Sequence, residues 1–171
     1  VLVRDADAKA RLGTLYAAQW TEFAKGYEAR FEALPEEDVA RERRTLDAGN
    51  YLAEHLHEAP VIAVFCFNPK MMAITDIKQP RVSVVGGGSV YPAVQNLLLA
   101  ARAEGLGCVL TTLLCQVEPE VREILAIPEP WGTAAAIPLG YPIGTGHGPI
   151  RRRAVGSLVF EDTFGNKRGS P

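Results

Sequence analysis

Cysteine is scarce in this chain, and the few present form no motif. Three occur in 171 residues, Cys66, Cys108 and Cys115, an odd number without C-x-x-C spacing. That excludes a disulfide-stapled secreted framework and a two-thiol redox pair, and leaves buried, reduced thiols in a cytoplasmic protein. No cation stands close in sequence to activate any of them. Long apolar runs are missing too: no segment reaches the roughly 20 residues needed to span a bilayer. Val1 to Trp20 carries charge throughout and lacks the apolar centre of a secretory signal. Excess charge of one sign is also absent. A net charge of -2 gives no footing for nucleic acid or an acidic membrane surface as partner. There is no G-x-S-x-G elbow, and of the three histidines His147 sits among glycines that would not hold its ring, so a hydrolase triad has no support.

What is present is ordinary globular composition, 47% apolar and 22% charged, at a length that suits one domain over residues 1–171, with a core to 160 and a tail over 161–171. After Val1-Leu2-Val3, Asp5 is placed to cap a long helix to about Ala33, in which Leu12, Leu15, Tyr16, Gln19 and Phe23 keep a helical rhythm. Pro35 opens a second, mostly charged helix through Asp47 that ends near Gly49, followed by a short helical connector over Tyr51 to Glu58. Pro60 to Phe67 is apolar on both faces, as a central strand is. Lys70 to Pro80 reads as loop with a short helix, and Arg81 to Val85 as a minor strand or an extended lead-in. Ser89 caps a helix from Val90 to Ala103, apolar or small on nearly every face, which belongs in a domain centre or between subunits. Gly105 supplies its left-handed end. Cys108 to Leu114 and Trp131 to Leu139 read as further buried strands around a short helix, Glu118 to Ala126. Gly140 to Pro149 is loop, and Arg151 to Phe160 is extended. Helices and strands in mixed order give an α+β domain: a central mixed or antiparallel sheet flanked by helices.

Three clusters invite chemistry. Gly86-Gly87-Gly88 precedes a helix, as a phosphate cradle does, but Tyr91 stands where G-x-G-x-x-G needs its last glycine and no P-loop lysine follows, so a hinge is favoured. His55 and His57 lie two residues apart on a helical stretch and point apart, which leaves no metal pair. In an extended segment, Arg151 and Arg153 project to one side. That suits bidentate capture of a phosphate monoester, and equally an edge strand protected by charge.

Three segments together resemble the FMN-binding nitroreductase family. Ser89 to Gly107, with Asn96 before Leu97-Leu98-Leu99 and a Gly105-Leu106-Gly107 turn, is similar to the family's central helix. Cys108 to Leu114 follows where its flavin-facing strand and loop stand. Pro138-Leu139-Gly140-Tyr141-Pro142 and then Arg151 to Arg153 resemble its terminal Leu-Gly-x-Pro and basic phosphate pair. The likeness implies a further segment before Val1, carrying an Arg-Arg-Ser type contact and a Gln-Pro-Trp stretch. Neither occurs here, and Val1-Leu2-Val3 reads as the end of a strand already under way.

The resemblance implies a nitroreductase-like homodimer with FMN at the subunit interface. Backbone N–H groups of Leu110, Thr111, Thr112 and Leu113 would pass along the isoalloxazine edge, and Arg151 with Arg153 would hold the phosphate. No catalytic side chain is required, since FMN carries the electrons from NADH or NADPH to a nitroaromatic, quinone or similar small-molecule acceptor in a ping-pong cycle. A specialised branch (flavin fragmentation or reductive dehalogenation) and a flavin-binding protein without turnover remain open beside it.

Overall fold

The computed structural model describes residues 1–31, 34–144 and 152–167, the side chains of Glu28 and Glu37 excepted. In chain order its principal elements are strand β1 (Leu2–Val3), helix α1 (Ala6–Phe31), α2 (Glu36–His55), β2 (Val61–Phe67), α3 (Tyr91–Ala103), β3 (Gly107–Cys108), α4 (Glu118–Leu125) and β4 (Gly132–Gly140). The strands form one antiparallel sheet in the order β1-β2-β4-β3, so the α+β expectation holds and the sheet, among the described residues, has no parallel pair.

Alternation along β2 and β4 divides the core. Ile62, Val64 and Ala136 face one side, where Leu12 and Tyr16 of α1, Val121 of α4 and Leu56, just after α2, close over them. Ala63, Ala135 and Ile137 face the other, against Val94 of α3. Both faces are therefore covered, which is why these strands read as continuous apolar runs. The register slips between Phe65, opposite Ala135, and Cys66, opposite Thr133, so Ala134 is an extra residue in β4 with no partner across. Its carbonyl accepts the Tyr91 hydroxyl at 3.1 Å.

Local chemistry sets the helix ends. The Asp5 carboxylate accepts the Ala8 N–H at 2.8 Å, an N-cap at the position expected. Gly105 takes φ +73° after α3, also as expected. Ser89 does not cap α3: it lies in a 3-10 turn, Val85–Ser89, and the helix starts at Tyr91 with no side-chain cap. Arg81 to Val85 forms a lead-in rather than a strand, and the short helix before it is a 3-10 turn at Pro69–Met71.

The second helix does not stop at Gly49. α2 runs unbroken to His55, through the whole of the expected break. Gly49 serves packing instead of termination. The six-membered ring of Trp20 on α1 lies directly over it, where any Cβ would be buried inside the indole. The Trp20 Nε1–H donates to Asn50 Oδ1 at 2.7 Å, pinning the ring across the helix pair. Cys108 to Leu114 is likewise not one strand. After β3 only Thr111 pairs with β4, opposite Ala136, and a 3-10 turn starts at Leu113. The extended reading of Arg151 to Phe160 fails at Val155–Ser157, a 3-10 turn; Arg151 itself lies outside the described residues, as do His147 and the rest of residues 145–149 of the expected loop. Among the described residues no helix is long and apolar enough to cross a membrane.

Two glycines of the helix pair, Gly26 and Gly49, give opposite expectations. Gly26 on α1 has nothing within 4 Å of an added Cβ. Gly26→Ala is therefore expected to raise stability by about 0.5–1 kcal/mol through helix propensity. Gly49→Ala is expected to lower it by about 1–3 kcal/mol through overpacking against Trp20. Urea unfolding of both variants checks the pair, and two changes of the same sign would refute the packing role.

Candidate functional site

The four residues carried over as flavin contacts alternate in burial, and backbone hydrogen bonding is the reason. Thr111 N–H donates to Ala136 O at 3.0 Å and Ala136 N–H donates back to Thr111 O at 2.9 Å. Both Thr111 peptide groups are thus consumed by β4. The Leu113 N–H turns back to Thr111 Oγ1 at 3.4 Å, a local bond that competes with the ladder and starts the 3-10 turn. Thr111 and Leu113 are buried, while Leu110 (38%) and Thr112 are exposed. The expectation that all four N–H groups face a ligand is corrected: Thr111 and Leu113 spend theirs internally. The N–H groups of Leu110 and Thr112 make no hydrogen bond among the described residues.

These residues border two cavities. The larger, of about 930 Å³, lies between α1 and α2, with Leu110 to Leu113 along its floor and Tyr16, Trp20, Phe23 and Tyr27 along one wall. Arg41 and Arg44 contribute the opposite wall, and no carboxylate is among the described lining residues. The smaller, of about 410 Å³, shares Thr112 and is closed by Tyr91, Cys115, Thr133 and the Met72–Ile74 segment. Tyr16, at the floor, is almost wholly buried; burial pushes its hydroxyl up from the ordinary phenol range, and a hydrogen bond with the Thr111 side chain pulls it partly back.

The described part of the basic segment, Arg152 and Arg153, is not brought to these cavities. Arg152 and Arg153 are exposed and line neither, and they pair with no strand among the described residues, which removes the edge-strand reading for those two. Arg151, their intended companion, is outside the described residues. Gly86 to Gly88 fold into the 3-10 turn, where Gly87 makes room for the Tyr91 ring, so the glycines serve packing. His55 Nδ1 lies 3.0 Å from Glu58 Oε1, and that bond holds the Glu58 carboxyl below its usual range. His57 packs against Gly13 instead. Among the described residues no group of three or more His, Cys, Asp or Glu side chains comes together as a metal site.

Trp20, Tyr27 and Arg44 were not singled out from sequence. The available signal was an aromatic stripe, Tyr16, Trp20, Phe23 and Tyr27, on one face of α1 and wider than a core contact needs. On α2, Arg41, Arg44, Thr45 and Ala48 form the facing stripe.

A model described as the nitroreductase family matches residues 1–141, and the chain belongs to that family. Three solved structures are similar across 96% of this chain. Oxidized iodotyrosine deiodinase bound to FMN and 3-iodo-L-tyrosine shares 23% identity at a TM-score of 0.62, over 75% of its own chain. The NADPH:FMN oxidoreductase of Vibrio harveyi, complexed with NAD+, shares 20% at 0.60, over 58% of its chain. Nitroreductase A of Vibrio parahaemolyticus shares 22% at 0.57, over 57%. Likeness at this identity shows a common fold, and the chain spans little more than half the length of the two Vibrio proteins.

Of the three thiols only Cys115 lines the smaller cavity, and all three are partly buried. Burial pushes Cys66, Cys108 and Cys115 up from the ordinary thiol range; the Glu118 carboxylate adds to the rise at Cys66 and Cys115, while the Val1 ammonium and Thr133 respectively oppose it. Folding thus favours the protonated thiols. Their contribution to stability is intact below the ordinary thiol value and declines as pH rises from there through the raised folded values. Alkylation by iodoacetamide at pH 8 is expected to be about tenfold slower in the native protein than in urea. Equal rates would show that at least one thiol is exposed and activated.

Proposed function

We propose that this chain forms the body of a homodimeric FMN oxidoreductase of the cytoplasm, passing two electrons from NADH or NADPH to a nitroaromatic, quinone or similar small-molecule acceptor in a ping-pong cycle. The observation that carries the reading is the pair of free N–H groups at Leu110 and Thr112, set at the floor of an aromatic cleft with arginine on its far wall. A flavin edge needs donors of this kind, together with surroundings free of negative charge. The residues present fit that requirement. The deiodinase and the Vibrio harveyi oxidoreductase, similar in fold, are proteins of FMN.

When bound, FMN supplies the hydride and two-electron chemistry. The chain's own part is to orient and shield. Thr111, locked to Ala136, keeps the Leu110 and Thr112 donors aimed outward at fixed spacing. Tyr16 closes the floor beneath Thr111 and excludes water from that side. The phosphate monoester is assigned to Arg151 and Arg153 on family resemblance, Arg153 itself lining neither cavity.

The second protomer is proposed to cover α3. This helix buries only Val94 and Ala101 fully, and leaves Leu99 59% and Tyr91 42% exposed beside a run of alanines. An apolar surface of that kind ordinarily marks an interface.

Purified protein is expected to be yellow, to release FMN on denaturation, and to bleach with NADH or NADPH in the absence of oxygen. A colourless protein that binds no added FMN would overturn the reading, and a flavin that no nicotinamide bleaches would reduce it to a binding protein. The double variant Arg151→Ala, Arg153→Ala is expected to lose about tenfold or more in FMN affinity with unchanged far-ultraviolet circular dichroism; unchanged affinity removes the phosphate assignment. For the interface, Leu99→Arg is expected to shift sedimentation equilibrium from dimer to monomer.

A further inference from the structure

We propose that the α1–α2 cleft selects a planar aromatic substrate bearing an anionic group, with the ring held against Trp20, Phe23 and Tyr27 and the anion on Arg44. The inference rests on the function proposed above and narrows the class of its acceptor.

The aromatic wall is a ladder of three rings on successive turns of one helix. Trp20 and Phe23 have centroids 5.8 Å apart, and Phe23 and Tyr27 5.6 Å apart, both tilted. Phe23 is nearly half exposed, so the ladder is not consumed by the core. Trp20 is fixed in place by Asn50 and by the bare backbone of Gly49, so its face meets an incoming ring with little ordering cost. At about 930 Å³ the cleft is of the size that buries a small organic molecule.

Charge selection follows from how the arginines of α2 are committed. Arg41 is held by Asp38 at 3.0 Å and by Glu42 at 3.3 Å. Arg43 sits over the Phe31 ring, 5.8 Å from its centroid, and does not line the cleft. Arg44 lines the cleft and makes no ion pair among the described residues. Among the described residues, therefore, its guanidinium meets no carboxylate, and the rings of α1 stand across the cleft from it. A fork of N–H donors beside an aromatic wall complements a ring carboxylate or phenolate, and penalises a ring cation. Thr45, Thr111, Thr112 and Gln116 supply further polar side chains of the described lining, and none of them carries charge.

The test is quenching of Trp20 fluorescence in a Trp131→Phe background, titrated with 4-nitrobenzoate, nitrobenzene and 4-nitrobenzylamine. Trp131 is remote from this cleft, in a recess with Ile127 and Val1. The expected order is 4-nitrobenzoate tighter than nitrobenzene by about tenfold, with 4-nitrobenzylamine weakest. Arg44→Gln is expected to abolish the preference while leaving nitrobenzene binding unchanged. Arg41→Gln, whose charge is already neutralised, is expected to alter the preference by about twofold or less. Equal affinity for the three probes overturns the proposal, as does a preference that survives Arg44→Gln. FMN content measured on the same samples separates the two levels. A flavin-loaded protein indifferent to probe charge refutes the cleft assignment alone. A protein that discriminates the probes but never binds FMN supports the cleft and refutes the flavin reading.

Discussion

The reciprocal hydrogen bonds between Thr111 and Ala136 are the constraint on which the site depends. They fasten an otherwise irregular passage to the central strand of the sheet at a single point. Because that point uses both peptide groups of Thr111, the neighbouring peptides must turn away from the sheet, and their donors are left for something else. The Thr111 side chain then performs a second task by taking the Leu113 N–H, which sends the chain into the 3-10 turn and buries Leu113 and Leu114 under α1. One residue thus sets both the floor of the cleft and its open edge. Rigidity comes from the sheet, and reach comes from the residues on either side.

Much of this was legible in the sequence where one physical signal dominated. β2 and β4 were readable because strands covered on both faces have little choice but to be apolar throughout. The start of α1 was readable because a carboxylate before a helical rhythm has one economical use. Gly105 followed the same logic at the end of α3. The failures share a cause as well. Gly49 has the composition of a helix stop, yet its meaning lies in Trp20, some thirty positions earlier, which no local window contains. Ser89 has the chemistry of a cap but follows three glycines that prefer to coil, so the 3-10 turn absorbed it. Cys108 to Leu114 has the apolar pattern of a strand, and only the pairing with β4 reveals that a single rung is used.

The candidate site divides along the same line. The stretch Leu110 to Leu113 was singled out through family resemblance alone, and the structure adds which of its peptide groups are already spent on the sheet. The cleft walls were not, because an aromatic stripe on α1 and an arginine stripe on α2 become one surface only when the helices pack. Helix packing also decides which arginine is free, since ion pairs along α2 neutralise Arg41 and leave Arg44. Thiols, histidines and the glycine run, each a conventional place to seek chemistry, turn out to serve burial, stacking and close approach.

The unpaired Ala134 makes strand length itself informative. Residues beyond it are offset by one, so Thr133 sits opposite Cys66, on the α4 side of the sheet, where Glu118 accepts both its N–H (2.5 Å) and its hydroxyl (3.1 Å). Removing Ala134 would restore regular pairing and keep Thr133 opposite Cys66, but it would take away the peptide carbonyl that accepts the Tyr91 hydroxyl. In β4, therefore, the extra residue anchors Tyr91 from across the sheet, and because Ala134 is itself buried, its small side chain matters as well as its place in the count.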